Sequence, residues 1–403
     1  MTAVVAVAAF LAGALLSLTA SWLLVSRLER IGERLGLSGA LLGVVAALAA
    51  DSPEITSAVT AMASGERRLG AGVVIGSNVF NLAALLGLAA VVAGRIGLHR
   101  KVVLLGGTVA VWVAAVCLLV TLGLLPPAAG CPLGLAAVAA YLAALGIPGR
   151  RRARLALPRW WAAWLESAVT EEEEELHAAP LPAPRRRSDV AIAIGAVVVV
   201  VAASATMERA ASVLGSRFAI PQIVVGGLVL AAVTSLPNAV AAVYLARRGR
   251  AAASFSTALN SNALNVVAGL LLPAALIGLG RPSGQTALTA VWYLGLTVAA
   301  LSIAYRDRGL SRPAGVLIIV AYLAFAASVL GLAYDGPPVM GAAIVAGLVV
   351  TAVFGVHLAT GSLRQLAADR RVAGPTRSAA TGLPVARLGT VCTTEDVRAL
   401  EDE

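Results

Sequence analysis

The sequence predicts an all-α polytopic membrane protein made of two inverted five-helix repeats, with ten core helices and an eleventh C-terminal helix. Three observations predict it: the composition, a series of apolar runs and an internal repeat. Of the 403 residues, 59% are hydrophobic and only 13% are charged, and the mean hydropathy is +0.88. Soluble domains carry about a quarter charged residues. The composition therefore excludes an ordinary cytosolic enzyme, a disordered chain and a nucleic-acid module.

The apolar runs predict the helices, because a membrane-spanning helix needs about 20 mainly apolar residues. The first run lacks the basic residues that begin a signal peptide and is too long for the apolar core of one, so it is interpreted as a retained helix. In chain order, the eleven predicted helices cover 3–26, 37–64, 69–94, 102–125, 131–148, 190–207, 220–246, 251–280, 286–305, 313–333 and 338–360.

These runs divide the chain into five segments. The first repeat occupies 1–148 and the second, inverted repeat occupies 190–333, with a cytoplasmic linker at 149–189 between them. The extra transmembrane helix lies in 334–360, and a cytoplasmic polar tail of mixed composition is expected over 361–403.

The basic residues predict the orientation, since short cytoplasmic loops carry an excess of Lys and Arg. With the N-terminus outside, the short inner loops carry twelve basic residues and the outer loops carry five. The linker also falls inside and adds further arginines, among them Arg185 to Arg187. The net charge of +10 is thus explained by topology. We expect a multi-pass protein of the plasma (cell inner) membrane with its N-terminus outside.

The linker contains an aromatic segment and an acidic run. Trp160 and Trp164 are one helical turn apart, which predicts a short amphipathic helix in the membrane interface. The run Glu171–Glu175 is interpreted as a solvated acidic spacer, with a regulatory cation site as the alternative. Three scattered cysteines are too few for a disulfide framework or a zinc site.

The internal repeat aligns residues 43–81 with residues 227–265 without a gap. Five helices precede the second half, an odd number, so the two copies have opposite orientations. This is the inverted-repeat design of secondary transporters. Besides small apolar residues, the alignment pairs Gly43 with Gly227, Pro53 with Pro237, Gly65 with Gly249, Ser77 with Ser261, Asn78 with Asn262 and Asn81 with Asn265.

Each copy contains a helix interrupted by proline and a second helix rich in amides and hydroxyls. Proline cannot donate to the helical ladder, so it frees carbonyl groups that a cation can bind in lipid. Oxygen atoms of hydroxyls, amides and carboxylates are the ligands of hard cations. The candidate cation ligands are Asp51, Glu54, Ser77, Asn81, Thr234, Ser235, Asn238, Ser261 and Asn265.

Asp51 and Glu54 are the strongest of these candidates, because both acids lie in the middle of a predicted span. A charged side chain at a helix centre costs about 2.5–3.5 kcal/mol on insertion scales. Glu54 is too far from either end of its run to reach the interface. A cost of this size indicates a functional site.

The two copies resemble the sodium/calcium exchanger family of the cation/calcium antiporter superfamily, of which this chain is a divergent member. The repeats of that family carry a G-T-S-L-P-E segment followed by G-S-N-x-x-N. Ser52-Pro53-Glu54 and Gly76–Asn81 match the first repeat, and Thr234–Pro237 with Ser261-Asn262 match the second. The resemblance implies a ten-helix core, a cation site at the membrane midplane, and alternating access in which the first and sixth helices slide against the rest.

The chain departs from the family pattern at the acidic positions. The second-repeat glutamate of the family is Asn238 here, and Asn265 is neutral as well. In the first repeat, Ala50 and Asp51 replace the threonine and the serine. Two carboxylates therefore remain, and both lie in one repeat. Two acids this close in a low dielectric repel each other, so one is expected to hold a proton unless a cation lies between them.

The sequence thus predicts a cation antiporter that exchanges calcium or a related cation for sodium or protons, and not an enzyme. No nucleotide-binding P-loop is found in the sequence, so the exchange is driven by a gradient. The alternatives are a sodium (or other cation)/proton exchanger of the same fold that does not carry calcium, and a non-transporting sensor or scaffold. We expect no cofactor; the expected partners are membrane lipids and the transported inorganic cations, with no nucleic acid.

Overall fold

The computed structural model describes residues 2–35, 39–146, 159–176 and 188–334. The first half of the chain contains α1 (Ala3–Arg34), α2 (Gly39–Ala50), α3 (Ser52–Ala63), α4 (Arg67–Ala93), β1 (Arg95–Gly97), α5 (Arg100–Thr121) and α6 (Pro127–Gly146). The linker helix is α7 (Arg159–Leu176). The second half contains α8 (Asp189–Arg217), α9 (Gln222–Thr234), α10 (Leu236–Arg247), α11 (Ala251–Ile277), α12 (Gly284–Arg306), β2 (Gly309–Ser311) and α13 (Arg312–Tyr334).

The helices confirm the predicted all-α polytopic fold. Within the described residues, eight helices are long and apolar enough to cross a membrane, and the bent pair α9–α10 raises the number to nine. The pair α2–α3 is the counterpart of this bent pair in the first repeat and completes the ten predicted core helices. The eleventh predicted helix, 338–360, and the tail, 361–403, lie outside the described residues.

Helix α8 is longer than the sequence predicted. The predicted run ended at residue 207 because charged residues follow it, but the helix continues to Arg217. The helix can continue because the Glu208 side chain is only 1% exposed and lies against the protein rather than against lipid.

Helices α1 and α8, the first helix of each repeat, pack against each other through small residues. The hydroxyls of Ser17 and Ser204 are hydrogen-bonded at 2.6 Å, and a Cβ atom on Gly13 would lie 2.9 Å from the Ala203 carbonyl oxygen. Close backbone approach of this kind is how helices associate in lipid. At one end of the pair, the buried Asp189 carboxylate accepts hydrogen bonds from Arg27 and Arg34.

Helices α4 and α9 also approach at glycines, one helix from each repeat. A Cβ atom on Gly76 would lie 2.1 Å from the Gly227 carbonyl oxygen, and one on Gly226 would lie 2.3 Å from the Leu69 carbonyl oxygen. Backbone therefore meets backbone here, and this contact holds the broken helix of the second repeat against the first.

A widened helical turn occurs at the same place in both repeats. Helix α4 becomes π-helical over Leu82–Leu88, directly after Asn81, and α11 becomes π-helical over Asn265–Leu271. Single π-helical turns inside α-helices are frequent at functional sites. The repeat is thus present in backbone geometry as well as in sequence.

The prediction that Glu171–Glu175 is a solvated spacer is wrong for Glu172. The linker helix α7 packs against α2, α5 and α11, and the Glu172 side chain is 1% exposed. Its carboxylate accepts a hydrogen bond of 2.6 Å from the Tyr141 hydroxyl, and the neighbouring Glu171 pairs with Lys101 at 3.0 Å. The helix predicted around Trp160 and Trp164 is present, and it begins at Arg159.

Candidate cation site

The breaks in the two proline-containing helices create the candidate site. Helix α2 ends at Ala50 and α3 begins at Ser52, with Pro53 in its first turn. The pair α9–α10 breaks at Ser235, with Pro237 in the first turn of α10, and bends there by 41°. Proline is tolerated in a first turn because the amide hydrogens there have no helical partner. Each break places a polar residue, Asp51 or Ser235, at a helix end inside the protein.

All nine sequence-predicted ligands are buried. The exposed fraction is 0% for both acids, Asp51 and Glu54, and 4% for Asn238. The others, Ser77, Asn81, Thr234, Ser235, Ser261 and Asn265, are exposed by 1% or less. The site is therefore closed to solvent in this structure.

The first acid, Asp51, is held by the second repeat. Its Oδ1 atom accepts a hydrogen bond of 2.6 Å from the Ser261 hydroxyl and one of 3.3 Å from the Asn238 amide. The Asn238 amide also donates to Asn81 Oδ1 at 3.1 Å. Asp51, Asn81, Asn238 and Ser261 are thus brought together.

The second acid, Glu54, is also held by the second repeat. The Ser235 hydroxyl donates to Glu54 Oε1, and the Asn265 amide donates to Glu54 Oε2 at 3.4 Å. The Asp51 and Glu54 carboxyl groups are close enough to interact directly. Seven of the nine predicted residues therefore form one cluster between the repeats.

The other two predicted residues, Ser77 and Thr234, do not join the cluster through their hydroxyls. The Ser77 hydroxyl donates to the Val74 carbonyl oxygen at 3.0 Å, and the Thr234 hydroxyl donates to the Leu230 carbonyl oxygen at 2.9 Å. Both are buried hydroxyls that bond to their own helix instead of a partner across the site.

Two residues outside the predicted ligand set, Asn78 and Asn262, join the repeats at the cluster. Each side-chain amide donates to the backbone carbonyl oxygen of the other residue, and both distances are 3.0 Å. The two residues are 184 apart, the offset of the repeat. The sequence signal was their pairing in the alignment, but sequence reasoning could not show that they bond to each other.

The cluster follows the pseudo-twofold symmetry of the repeats. The bond from Asn81 to Asn262 Oδ1, 3.2 Å, has its counterpart from Asn265 to Asn78 Oδ1, 3.3 Å. The contact between Ser235 and Glu54 likewise has its counterpart between Asn238 and Asp51. The short bond from Ser261 to Asp51 has no such counterpart among the described residues, because Ser77 bonds to Val74 instead.

The charge of the site breaks this symmetry. Both carboxylates come from the α2–α3 pair, while the equivalent positions on α9–α10 are Ser235 and Asn238. Within the described residues, no group of three or more His, Cys, Asp or Glu side chains is arranged to hold a metal ion. The site therefore offers two acids, with amide and hydroxyl oxygens completing the oxygen set.

Two oxygen atoms of the cluster have no hydrogen-bond donor. They are Asp51 Oδ2 and Asn265 Oδ1, both buried. A buried carboxylate oxygen without a partner has lost its hydrogen bonds to water and has no hydrogen bond within the protein to replace them. A cation at this position, or a proton shared with Glu54, would supply the missing interaction. A cavity of about 460 Å³ lies elsewhere, at an end of the helices, and Arg67, Arg68 and Arg281 are among its lining residues.

The fold and this buried, oxygen-lined site between inverted repeats define a class of protein: a polytopic membrane transporter of the inverted-repeat type. The sequence matches the family described as "Sodium/calcium exchanger protein" over residues 5–148 and 188–331, which is more than half of the chain. The chain belongs to this family, so the resemblance seen in the motifs is confirmed, and members of this family are transporters rather than enzymes.

Individual relatives match over shorter stretches. The chain is 32% identical over 132 residues to the sodium/potassium/calcium exchanger Nckx30C of Drosophila melanogaster, covering 31% of the chain and 15% of that protein. It is 35% identical over 82 residues to CaxA of Alkalimonas amylolytica, covering 20% of the chain and 26% of that protein. The matches thus span only about a quarter or less of each relative.

A solved structure confirms the fold over almost the whole chain. The crystal structure of the H+/Ca2+ exchanger CAX superposes with a TM-score of 0.64 and covers 91% of both chains, at 15% sequence identity. At this identity the similarity concerns the fold alone.

Proposed function

We propose that the protein exchanges calcium or a related cation for sodium or protons by alternating access, with Asp51 and Glu54 as the charged ligands. The observation that carries this proposal is Asp51 Oδ2, a buried carboxylate oxygen without a donor beside a second buried acid. Family membership supports the antiport mechanism, and the similar structure and the Drosophila relative bear the names of calcium exchangers.

The proposed ligands are the remaining oxygen-bearing side chains of the cluster. Asn81, Asn238 and Asn265 offer amide oxygens, and Ser235 and Ser261 offer hydroxyls that can turn from the carboxylates towards an ion. Ser77 and Thr234 lie in the same helices and would have to release their own carbonyl partners to take part. Two carboxylates balance the charge of one divalent cation.

Exchange with protons follows from the same pair of acids. Without a cation, two adjacent buried carboxylates share a proton, because both cannot be charged in a low dielectric. A divalent cation between them displaces that proton. Cation and proton therefore compete for one site, and alternating access turns that competition into antiport.

The moving part is proposed to be the α1–α8 pair. The hydroxyl contact between Ser17 and Ser204 and the Asp189 contacts join these helices into one unit. The rest of the protein is held together differently, by the reciprocal Asn78–Asn262 bonds and by strand β1 pairing with β2. A sliding motion of α1–α8 would open the site to either side without breaking those bonds.

The orientation is proposed with the N-terminus outside, in the plasma membrane. Support comes from arginines that gather at one end of the helices. Arg95 donates to the Asp307 carbonyl oxygen, Arg100 to the Tyr305 carbonyl oxygen and Arg312 to the Val91 carbonyl oxygen. This end carries the basic residues expected of the cytoplasmic side.

A second candidate, a cation/proton exchanger that does not carry calcium, is favoured by one observation. Asn238 stands where the family carries its second-repeat glutamate, which leaves fewer charged oxygens than calcium usually collects.

One experiment tests both candidates. Purified protein in proteoliposomes is given calcium, sodium and proton gradients in turn, and ion flux is measured for each. Calcium flux coupled to a sodium or proton gradient supports the first candidate, and sodium/proton flux without calcium flux supports the second. An absence of flux under every gradient, with correctly folded protein, would overturn both.

A further inference from the structure

A second pair of acids lies outside the cluster described above. Glu66 is in the turn between α3 and α4, and Glu208 and Ser212 are one helical turn apart on α8, which places them on the same face. The Ser212 hydroxyl donates to Glu66 Oε1, and the Glu66 carboxylate is close enough to Glu208 to repel it. Three oxygen-bearing groups from two separate elements thus converge.

The backbone fixes the position of Glu66. Helix α3 ends in a turn in which the Gly65 amide bonds to the Met62 carbonyl oxygen and the Glu66 amide bonds to the Ala61 carbonyl oxygen. This pattern is a Schellman motif, which needs a left-handed residue, and Gly65 has a φ of 87°. The Glu66 carbonyl oxygen then accepts the first bond of α4, from Gly70. Both sides of Glu66 are therefore anchored.

The equivalent turn of the second repeat lacks the acids. The Gly249 amide bonds to Ala246 and the Arg250 amide bonds to Leu245, so the same motif is formed. Arg250 stands at the position of Glu66. The pair of acids is thus confined to one end of the protein, and the repeat architecture does not require it.

Two carboxylate oxygens in this pair lack hydrogen-bond donors. They are Glu66 Oε2 and Glu208 Oε2, and both atoms are buried. The Glu208 side chain is 1% exposed, so water does not compensate its charge. The nearby cation, Arg209, follows Glu208 on α8 but is exposed and leaves Glu208 Oε2 without a partner.

We propose that Glu66, Glu208 and Ser212 form a second cation site, which binds a hard divalent cation of the calcium class. Two carboxylates and a hydroxyl supply oxygen ligands of the kind that such an ion takes, and water can complete its coordination. The site lies at the end of α8 away from Asp189, where the α3–α4 turn meets the surface. In the proposed orientation it faces the outside.

Calcium binding to the purified full chain tests this proposal. The experiment starts from the double variant Asp51→Asn/Glu54→Gln, which removes the charged ligands of the transport site, and measures radioactive calcium bound at equilibrium. We expect one saturable calcium per chain to remain in this background. Adding Glu208→Gln or Glu66→Gln is expected to weaken it by about tenfold or more, because ligand charge sets calcium affinity. Adding Glu166→Gln, at an exposed acid of α7, should leave it unchanged.

Each alternative outcome overturns the proposal. Absence of saturable calcium binding in the double variant would do so, and so would binding that survives both Glu66→Gln and Glu208→Gln. A protonated carboxyl band in the infrared spectrum that disappears in Glu208→Gln and does not respond to calcium would identify a shared proton instead. The size-exclusion profile of each variant confirms that it is folded. Because flux is not the readout, failure of this proposal is distinguishable from failure of the transport proposal.

Discussion

The broken helices of the two repeats break at the same position and have different chemistry. Each has a break followed by a proline in the first turn of the next helix. The first presents Asp51 and Glu54 at this break, and the second presents Ser235 and Asn238. Each acid accepts hydrogen bonds from the other repeat. The comparison teaches that the shape of the site comes from both repeats, whereas its charge comes from one.

The largest expected effect comes from neutralising the acid that the family pattern retains. Glu54→Gln should reduce cation flux to background, because the amide keeps the size of the side chain and removes its charge. The measurement is flux per inserted protein in proteoliposomes. Glu166→Gln, an exposed acid, is the matched control and should keep full activity; the buried Glu172 is unsuitable for this purpose. Full activity in Glu54→Gln would remove Glu54 from the proposed site.

The contact between the broken helix of the second repeat and α4 can be tested through its glycines. Gly76→Ala should destabilise the protein by about 1–3 kcal/mol or more, because its Cβ would lie 2.1 Å from the Gly227 carbonyl oxygen. Gly227→Ala is the control, since its Cβ would meet nothing closer than 3.6 Å. Thermal unfolding in detergent measures both. Equal stability of the two variants would contradict this packing.

The difference in charge between the repeats can be reversed by exchange of side chains. Asp51→Ser together with Asn238→Glu restores the family pattern, in which each repeat carries an acid. We expect calcium flux to become more dependent on sodium and less dependent on pH, since the two acids no longer lie on one helix pair. Flux under separate sodium and proton gradients measures the change. A double variant with the same ion coupling as the original protein would contradict this interpretation.

The role of Asp51 can be separated from that of Glu54 by measuring cation flux as a function of pH. In the original protein, flux should weaken as pH falls, because protons compete with the cation for the two acids. Asp51→Asn leaves one carboxylate and should change this pH dependence. If Asp51 only attracts cations from a polar vestibule, the Asp51→Asn variant will have a slightly lower apparent affinity for the cation and the same pH dependence of flux. An unaltered profile would thus defeat the paired-carboxylate mechanism.

The smallest expected effect concerns the residues that join the repeats. Asn78→Ala and Asn262→Ala should each destabilise the protein, by about 0.6 kcal/mol and by no more than about 1.7 kcal/mol, the mean and the maximum measured for side-chain hydrogen bonds between membrane helices. The two losses should be similar, because each amide makes the same bond of 3.0 Å to the other residue. Unfolding in detergent measures them. If the two variants lost clearly different amounts of unfolding free energy, the two hydrogen bonds would contribute unequally to stability despite their similar geometry.

The sequence predicted the helices and the region of the site because their signals are local. The apolar runs predicted the ten core helices. The aligned prolines, serines and asparagines predicted that the two repeats meet at one site. The reciprocal bond between Asn78 and Asn262 could not be predicted, because repeats align residues without giving distances between them. The buried position of Glu172 could not be predicted either, since it depends on Tyr141, which lies 31 residues earlier.

The extension of α8 shows the same limit. Glu208 and Arg209 look like the end of a span when only hydropathy is read, yet Glu208 is buried beside Glu66. The hydroxyls of Ser77 and Thr234 are a further case, because a serine or threonine in a helix can bond to its own carbonyls, and sequence spacing does not distinguish this from a contact across the site.

The dependence of both acids on the second repeat has a consequence for biosynthesis. The partners of Glu54 lie 181 and 211 residues later in the chain. At a synthesis rate of about 5–20 residues per second, they emerge from the ribosome on the order of ten seconds or more after α3. During this interval the first half of the nascent chain carries two acids whose hydrogen-bond partners in the second half have not yet been synthesised. We therefore expect the α2–α3 segment to reach its final packing only when α9, α10 and α11 arrive, so that folding of the first half is completed by the second.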